Sequence, residues 1–294
     1  GYLAARDTRY LFEDVIKRLD KSIDLVRQWL DKGTGNVRQS DLYALQAGRS
    51  LIANYLSQAE GVEAIALAGL RMLVGIEDGV PLELADRHIK PLPVPEKTLS
   101  ELQQLALKQR PEMTQLESGM KARRSLVEAK KAEKLPNIYA GLAGMASYSP
   151  ARAHLDNPFI YDPFNDYGAT PLIGVQWHWE SGRQSAQVVQ AQAELDALIE
   201  KSSFARNGIP FEVAEQYHYV QSFAEAVDRL EQASRAARRW MISSYADFEA
   251  GIEKAEDALT AFQGYVLAYS DYLKTVNDHN MHVVRLRNVT GDIQ

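Results

Sequence analysis

The sequence has no cysteine, which excludes a disulfide scaffold, a zinc–thiolate centre and a cysteine nucleophile while leaving the cellular compartment open. No apolar run approaches the roughly 18 residues that a transmembrane helix needs, and mean hydropathy is -0.32. Positive charge is not in excess either. Lys and Arg number 33 against 39 Asp and Glu, so the formal charge is -6, and the basic face of a nucleic-acid binder is missing. There is no Ser-His-Asp order, His-Glu-x-x-His, phosphate-binding glycine loop or dinucleotide fingerprint. The chain begins Gly1-Tyr2-Leu3, without Met and without a visible signal peptide, which reads as a fragment. What is present is 294 residues, 46% hydrophobic and 24% charged. That is long enough for one or two domains and too apolar for wholesale disorder.

Three segments read as long helices. The first runs from residue 4 to about 77 and is broken once at Asp31-Lys32-Gly33-Thr34-Gly35. The second runs from 99 to about 134, with Pro111 tolerable at or near a first helical turn. The third covers 183 to 288, with interruptions expected at Asn207-Gly208-Ile209-Pro210 and around Gly251. Between Pro210 and Phe248, Val213, Tyr217, Val220, Ala224, Val227 and Leu230 recur at three- and four-residue steps. After Gly251 the stepping tightens: Leu259, Phe262, Val266, Tyr269, Leu273, Val276, then Val283 beyond a polar Asn280. This is a heptad-like seam. If 183–248 is nearly continuous, it spans about 100 Å at roughly 1.5 Å per residue, a length that suits antiparallel coiled hairpins.

The stretches between helices differ in kind. Residues 78–98 carry Pro81, Pro91, Pro93 and Pro95 and read as a connector. In 137–179, aromatics, Gly and Pro replace Ala, Glu and Lys. Ile138 to Ser147 reads as one strand and Pro171 to Trp179 as another, with Tyr148 to Gly168 an aromatic loop between them. The second strand sets Ile173, Val175, Trp177 and Trp179 on one face, and Leu172, Gly174, Gln176 and His178 on the other. Such alternation suits a membrane barrel strand, and equally an edge hairpin of a soluble protein.

A gap-free offset of 216 residues relates Gly35 to Gly251, Asp41 to Asp257, Gly48 to Gly264, Leu51 to Leu267, Leu70 to Leu286, Arg71 to Arg287 and Gly75 to Gly291. Both copies read as helix, glycine turn, Asp six residues on, helix, terminal Gly. A turn glycine permits positive φ, and an early Asp favours the positive end of the next helix. The same shift places a twin of the 137–179 hairpin before Gly1, so the repeat predicts roughly a hundred or more upstream residues, the count implied by that offset.

In this order and spacing, the sequence resembles the TolC-like outer membrane efflux protein family. Arg110-Pro111-Glu112 is similar to the family's start of its second repeat, and Leu135-Pro136-Asn137 to its entry into the first strand. Ile173-Gly174-Val175-Gln176-Trp177, followed by Glu180-Ser181-Gly182-Arg183, resembles its second strand leading through a Gly turn to a long helix. Gly251 with Asp257-Ala258-Leu259 resembles its helix-hairpin tip, and Tyr272-Leu273 through Leu286 to Gly291 the returning helix. The resemblance implies a mainly α fold with a β part, in which long antiparallel coiled-coil helices form a periplasmic tunnel and the strands join a shared trimeric outer-membrane β-barrel. The segments become 1–77 as the tail of the first repeat, 78–98 as the connector and 99–136 as the helix opening the second repeat. Two barrel strands with their surface loop occupy 137–179, and a long helical hairpin with its tip near 251 occupies 180–294. Implied partners are two further copies in a homotrimer, a periplasmic adaptor (membrane fusion) protein, an inner-membrane RND or ABC transporter and outer-membrane lipid, with no nucleic acid. The implied location is the outer membrane of a Gram-negative bacterium, with most of the chain in the periplasm. Neither cofactor nor catalytic residue is implied.

Gly35, Asp41, Gly251 and Asp257 are the candidate tip residues, for adaptor docking and an entrance gate. Three-fold symmetry would turn Asp257 into a carboxylate ring favouring cations; Thr260 stands where some family members carry a further Asp. Capping and solvated charge are the competing roles for these acids. Trp177 and Trp179 are the candidate membrane-interface aromatics, against an ordinary buried interface. His279 and His282, beside Asp278, lack a third convergent ligand and are assigned no metal. The function expected is an exit duct for a tripartite efflux pump or type I secretion system. The alternative is a soluble coiled-coil adaptor or scaffold with a small β insertion.

Overall fold

The computed structural model describes every residue except Asn36, Asp78, His154, Asp156, Trp179, Glu180, Ile293 and Gln294. In chain order the elements are α1 (Tyr2–Lys32), α2 (Gln39–Val74), α3 (Leu99–Gln109), α4 (Pro111–Ala132), β1 (Asn137–Ser147), β2 (Asp166–Gln176), α5 (Ser181–Glu249) and α6 (Ala255–Thr290). They fall into two compact units. One comprises residues 1–110 and 208–294, the other 111–207, and the division lies within α5.

In the first unit, α1 packs against α2 and α6, and α2 and α3 also touch α6. The core joins Val15, Leu19 and Val26 of α1 to Leu45 of α2, Phe248 near the end of α5, and Ala261 and Phe262 of α6, all essentially excluded from water. The α6 seam is buried at Phe262, Val266, Leu273, Val276 and Val283, and the α5 stripe at Val213, Val220 and Val227. These are positions that a 3.5-residue period aligns on one face.

The 216-residue offset is built into the backbone. Helices α2 and α6 are each 36 residues long and occupy equivalent positions under it. Both end on a left-handed glycine, Gly75 at φ 72° and Gly291 at φ 74°. The next N–H closes the same cap in each, Ile76 to the Arg71 carbonyl and Asp292 to the Arg287 carbonyl, both at 3.0 Å. Glycine at this position avoids the Cβ clash that positive φ imposes on other residues.

Three sequence expectations are corrected. The helix expected across 99–134 is divided at Arg110, whose backbone is extended at φ -65° and ψ 127°. A residue preceding proline is pushed out of the helical region, while Pro111 itself opens α4, where its missing N–H is harmless. The interruption expected at 207–210 does not occur, since α5 runs through Pro210. Ile209 and Val213 are buried, and Gln103 Nε2 donates to the Pro210 carbonyl at 3.0 Å; tertiary packing offsets a proline penalty of about 3 kcal/mol. The second strand begins at Asp166 rather than Pro171 and ends at Gln176, so the loop is shorter than 148–168.

In the second unit, Val127 of α4 packs with Ala191 and Leu195 of α5, and Arg123 bridges Glu194. The remainder is an antiparallel hairpin in continuous register from Asn137↔Gln176 to Ser147↔Asp166.

Candidate membrane hairpin and channel entrance

Directly paired residues of an antiparallel ladder share a face, so the register sorts the hairpin into two surfaces. One carries Ile138, Ala140, Leu142, Gly144 and Ala146 with Val175, Ile173, Pro171, Ala169 and Tyr167. The other carries Asn137, Tyr139, Gly141, Ala143, Met145 and Ser147 with Gln176, Gly174, Leu172, Thr170, Gly168 and Asp166. The first is apolar but for the Tyr167 phenol, and the second mixes two amides, three hydroxyls, a carboxylate and three glycines with Ala143, Met145 and Leu172. Ile138, Leu142, Ile173 and Val175 are all more than 60% exposed. A water-facing apolar surface of this kind is not how a soluble edge hairpin is built. Each strand has 11 residues; at about 3.3 Å per residue and a tilt near 45° that is a rise of about 25 Å, the height of an outer-membrane apolar band.

Trp177 lies one residue past β2 and is exposed, its indole N–H donating to the Lys134 carbonyl at 3.2 Å. The structure therefore sets it at the strand-to-helix corner. Trp179 lies outside the described residues.

At the other candidate site, both tip glycines have positive φ, Gly35 at 80° and Gly251 at 74°. After Gly251 the chain reverses through bonds from Ile252 and Glu253 N–H to the Asp247 carbonyl. Trp29 packs edge-on against Phe248 with ring centroids 5.5 Å apart, which ties the two tips together. The Trp29 ring also backs Gly35, where an added Cβ would lie 3.3 Å from it; Gly251 has open space. Ser244 bonds Glu253. Burial, and then Glu249, pushes the Tyr245 phenol up to about 12.

Asp41 and Asp257 both occupy the third position of their helices, but they are used differently. Asp41 accepts the Arg38 N–H at 2.8 Å, and the Arg38 guanidinium lies 3.7 Å from it. It therefore closes a helix N-terminus. Asp257 is exposed and has no hydrogen bond or ion pair among the described residues. The sequence does not separate these twins, because each copy has a backbone N–H three positions earlier and only the structure shows that Arg38 gives its own to Asp41.

Each of the two α6 histidines engages a protein acceptor: His279 Nε2 the Leu92 carbonyl at 2.9 Å, and His282 Nδ1 the Gln216 side-chain oxygen at 2.9 Å. His282 packs against both Tyr219 and Phe223, 4.6 and 5.1 Å from their centroids, in a three-ring cluster whose two α5 rings are 6.4 Å apart. Sequence reasoning missed this aromatic cluster. Its only sign was aromatics recurring four apart on α5.

The family model for outer membrane efflux proteins matches residues 102–292. The chain belongs to the outer membrane efflux protein family. Its helices accordingly lie on the periplasmic side of a Gram-negative outer membrane. The alkaline protease secretion protein AprF of Pseudomonas aeruginosa is 25% identical over 99% of this chain and 59% of its own length. Among solved structures, the outer membrane channel CmeC of Campylobacter jejuni superposes with a TM-score of 0.77 at 14% identity, over 99% of this chain and 60% of that one. The outer membrane protein VceC of Vibrio cholerae does so with a TM-score of 0.76 at 14% identity, over 99% and 67%. The chain thus spans about three fifths of AprF and CmeC. These relatives are secretion and channel proteins rather than enzymes.

Proposed function

We propose that the whole protein is an outer-membrane channel-tunnel, the passive exit duct of a tripartite efflux pump or type I secretion system. The two-faced hairpin carries this reading. Its apolar face belongs against lipid, its mixed face against a water-filled lumen, and among the described residues both strands keep an unpaired edge. Unpaired edges in lipid are not sustainable, so the hairpin closes into a barrel with other strands. Three copies complete that barrel in the proposed assembly. A second observation supports it: a groove of about 480 Å³ lined by Leu51, Tyr55, Leu259 and Leu267 lies open along α2 and α6, as expected of a surface that a neighbouring copy covers.

The tips at Gly35 and Gly251 are the proposed docking ends for a periplasmic adaptor, with the inner-membrane transporter supplying energy and substrate choice. Asp257 is the proposed entrance carboxylate, repeated three-fold as a cation-attracting ring; Asp41 is a cap. Trp177 is the proposed interfacial anchor. The decisive experiment is purification of the full-length protein in detergent with reconstitution into planar bilayers. The reading expects a trimer giving discrete conductance steps, and a water-soluble monomer without conductance would sink it.

A further inference from the structure

A cavity of about 560 Å³ opens between α1, α5 and α6, and its wall is unlike the apolar core beside it. Tyr265, Tyr269 and Tyr272 of α6 form a ladder in that wall. Consecutive rings are 5.7 and 5.9 Å apart and 14° and 17° from parallel. Helix α5 contributes Arg235 and Arg238 to the same cavity. Tyr265 is only 8% exposed, and the other two rings are half-buried. Among the described residues none of the three phenols has a hydrogen-bond partner, although a buried Tyr O–H normally finds one.

The hydrogen-bond capacity of this wall is lopsided. Its acids are engaged. Asp7, 4% exposed, accepts the Ile89 N–H at 2.9 Å and holds His88 Nδ1 at 3.0 Å, and Glu231 accepts from Arg235 at 2.6 Å. Ser234 gives its hydroxyl hydrogen to the Glu231 carbonyl at 2.9 Å. Arg238 has no hydrogen bond or ion pair among the described residues, and its charge reaches the phenols of Tyr265 and Tyr269. Burial raises all three phenols above their ordinary value of 10, so they stay protonated and keep a hydrogen to donate. What remains unused is three O–H donors and one guanidinium, beside flat aromatic surface. Their complement is a negatively charged acceptor carried on an apolar body.

Folding does not call for this wall. At the 216-residue offset, Glu231, Arg235 and Arg238 correspond to Val15, Leu19 and Ser22, and Tyr265, Tyr269 and Tyr272 to Arg49, Ala53 and Leu56. Val15, Leu19 and Ser22 are all buried. The first copy makes core from positions that the second gives to charged groups around a cavity.

We propose that this cavity binds a small organic anion, its carboxylate, sulfonate or phosphate on Arg238 and the hydroxyls of Tyr265 and Tyr269, its apolar body against the tyrosine ladder. The site lies wholly within the first unit and does not depend on the channel reading.

The test titrates naphthalene-2-sulfonate into the full-length protein in a non-ionic detergent by calorimetry, with the heat of mixing into detergent alone subtracted. The neutral naphthalene-2-sulfonamide is titrated in parallel. Wild type is expected to bind the sulfonate saturably and about tenfold more tightly than the sulfonamide, the difference a charge-assisted contact makes. Arg238→Gln is expected to weaken sulfonate binding about tenfold, as loss of a hydrogen bond to a charged group does, and to leave the sulfonamide unchanged. Tyr269→Phe keeps the ring and removes the hydroxyl, so a loss of about fivefold is expected. Arg239→Gln removes a neighbouring exposed charge outside the cavity and is expected to bind as wild type does. No saturable binding by wild type, equal affinity for sulfonate and sulfonamide, Arg238→Gln equal to wild type, or Arg239→Gln as damaging as Arg238→Gln each overturns the site.

Discussion

Helices α2 and α6 are one design used twice, and the contrast between them separates what folding requires from what function adds. Length, glycine caps and the cap hydrogen bond are the same at an offset of 216. The side chains at equivalent positions have diverged. Asp41 is enclosed as a cap where Asp257 is open to water, and Glu63 forms an ion pair where His279 bonds the Leu92 carbonyl of the connector. Backbone punctuation persists because positive φ leaves little choice but glycine. Side-chain roles are free to differ because a helical backbone accepts Asp, Glu or His alike at such positions.

The largest effect expected from breaking this comparison is at the ring contact joining the two tips. Phe248→Ala removes a fully buried ring and is expected to cost about 3–5 kcal/mol, seen as a lowered denaturant midpoint; a change below about 1 kcal/mol would show the two tips to be independent. Next come the tip glycines. Gly35→Ala and Gly251→Ala share the strain of positive φ, about 1 kcal/mol, but only Gly35 is backed by Trp29. Thermal melts should therefore rank Gly35→Ala as the worse, and equal losses would remove the asymmetry. A third comparison sets Asp41→Asn against Asp257→Asn. The first is expected to lose a few tenths to about 1 kcal/mol as the cap weakens, with pore blockade by trivalent cations unchanged. The second is expected to leave stability within about 0.5 kcal/mol and to relieve blockade. Equal blockade in wild type and Asp257→Asn refutes the gate.

The smallest effect concerns pH. Burial, and then Arg285, lowers the His282 pKa below its ordinary 6.5. Above that value both folded and unfolded chains carry a neutral ring, so there is no penalty. As pH falls below 6.5 the unfolded chain takes the proton first, and stability is lost. Melting temperature should fall between pH 7 and pH 5, and the fall should shrink in His282→Phe. An unchanged pH dependence would show that the stacked imidazole is not responsible.

Much of the fold is legible in the sequence because it is written in periodic and local signals. The α6 seam, the two tip glycines and the 173/175 alternation each depend on residues a few positions apart. The Arg110 break was available too, in the residue before Pro111, but helical composition on both sides masked it. Pro210 misleads because buried neighbours override a local penalty. Asp166 to Thr170 was hidden in an aromatic loop because its strand identity comes from pairing with Ala143 to Ser147. The hold of α6 on the connector was the least legible: Asn280 stood out as polar in an apolar seam, but its partners are Lys90 and Leu92, about 190 residues away in sequence. Family resemblance supplied the membrane context, which no single residue encodes.

The central claim is that the 137–176 hairpin has one lipid face and one water face. Single cysteines can be placed one at a time at 170 to 176, which lie in a stretch of 294 residues without cysteine, in a reconstituted full-length protein cleared of any other cysteine, spin-labelled, and probed for collisions with oxygen and with a water-soluble nickel chelate. The account predicts a period of two: 171, 173 and 175 favour oxygen, and 170, 172, 174 and 176 favour nickel. Uniform access of the nickel reagent to every position would contradict it.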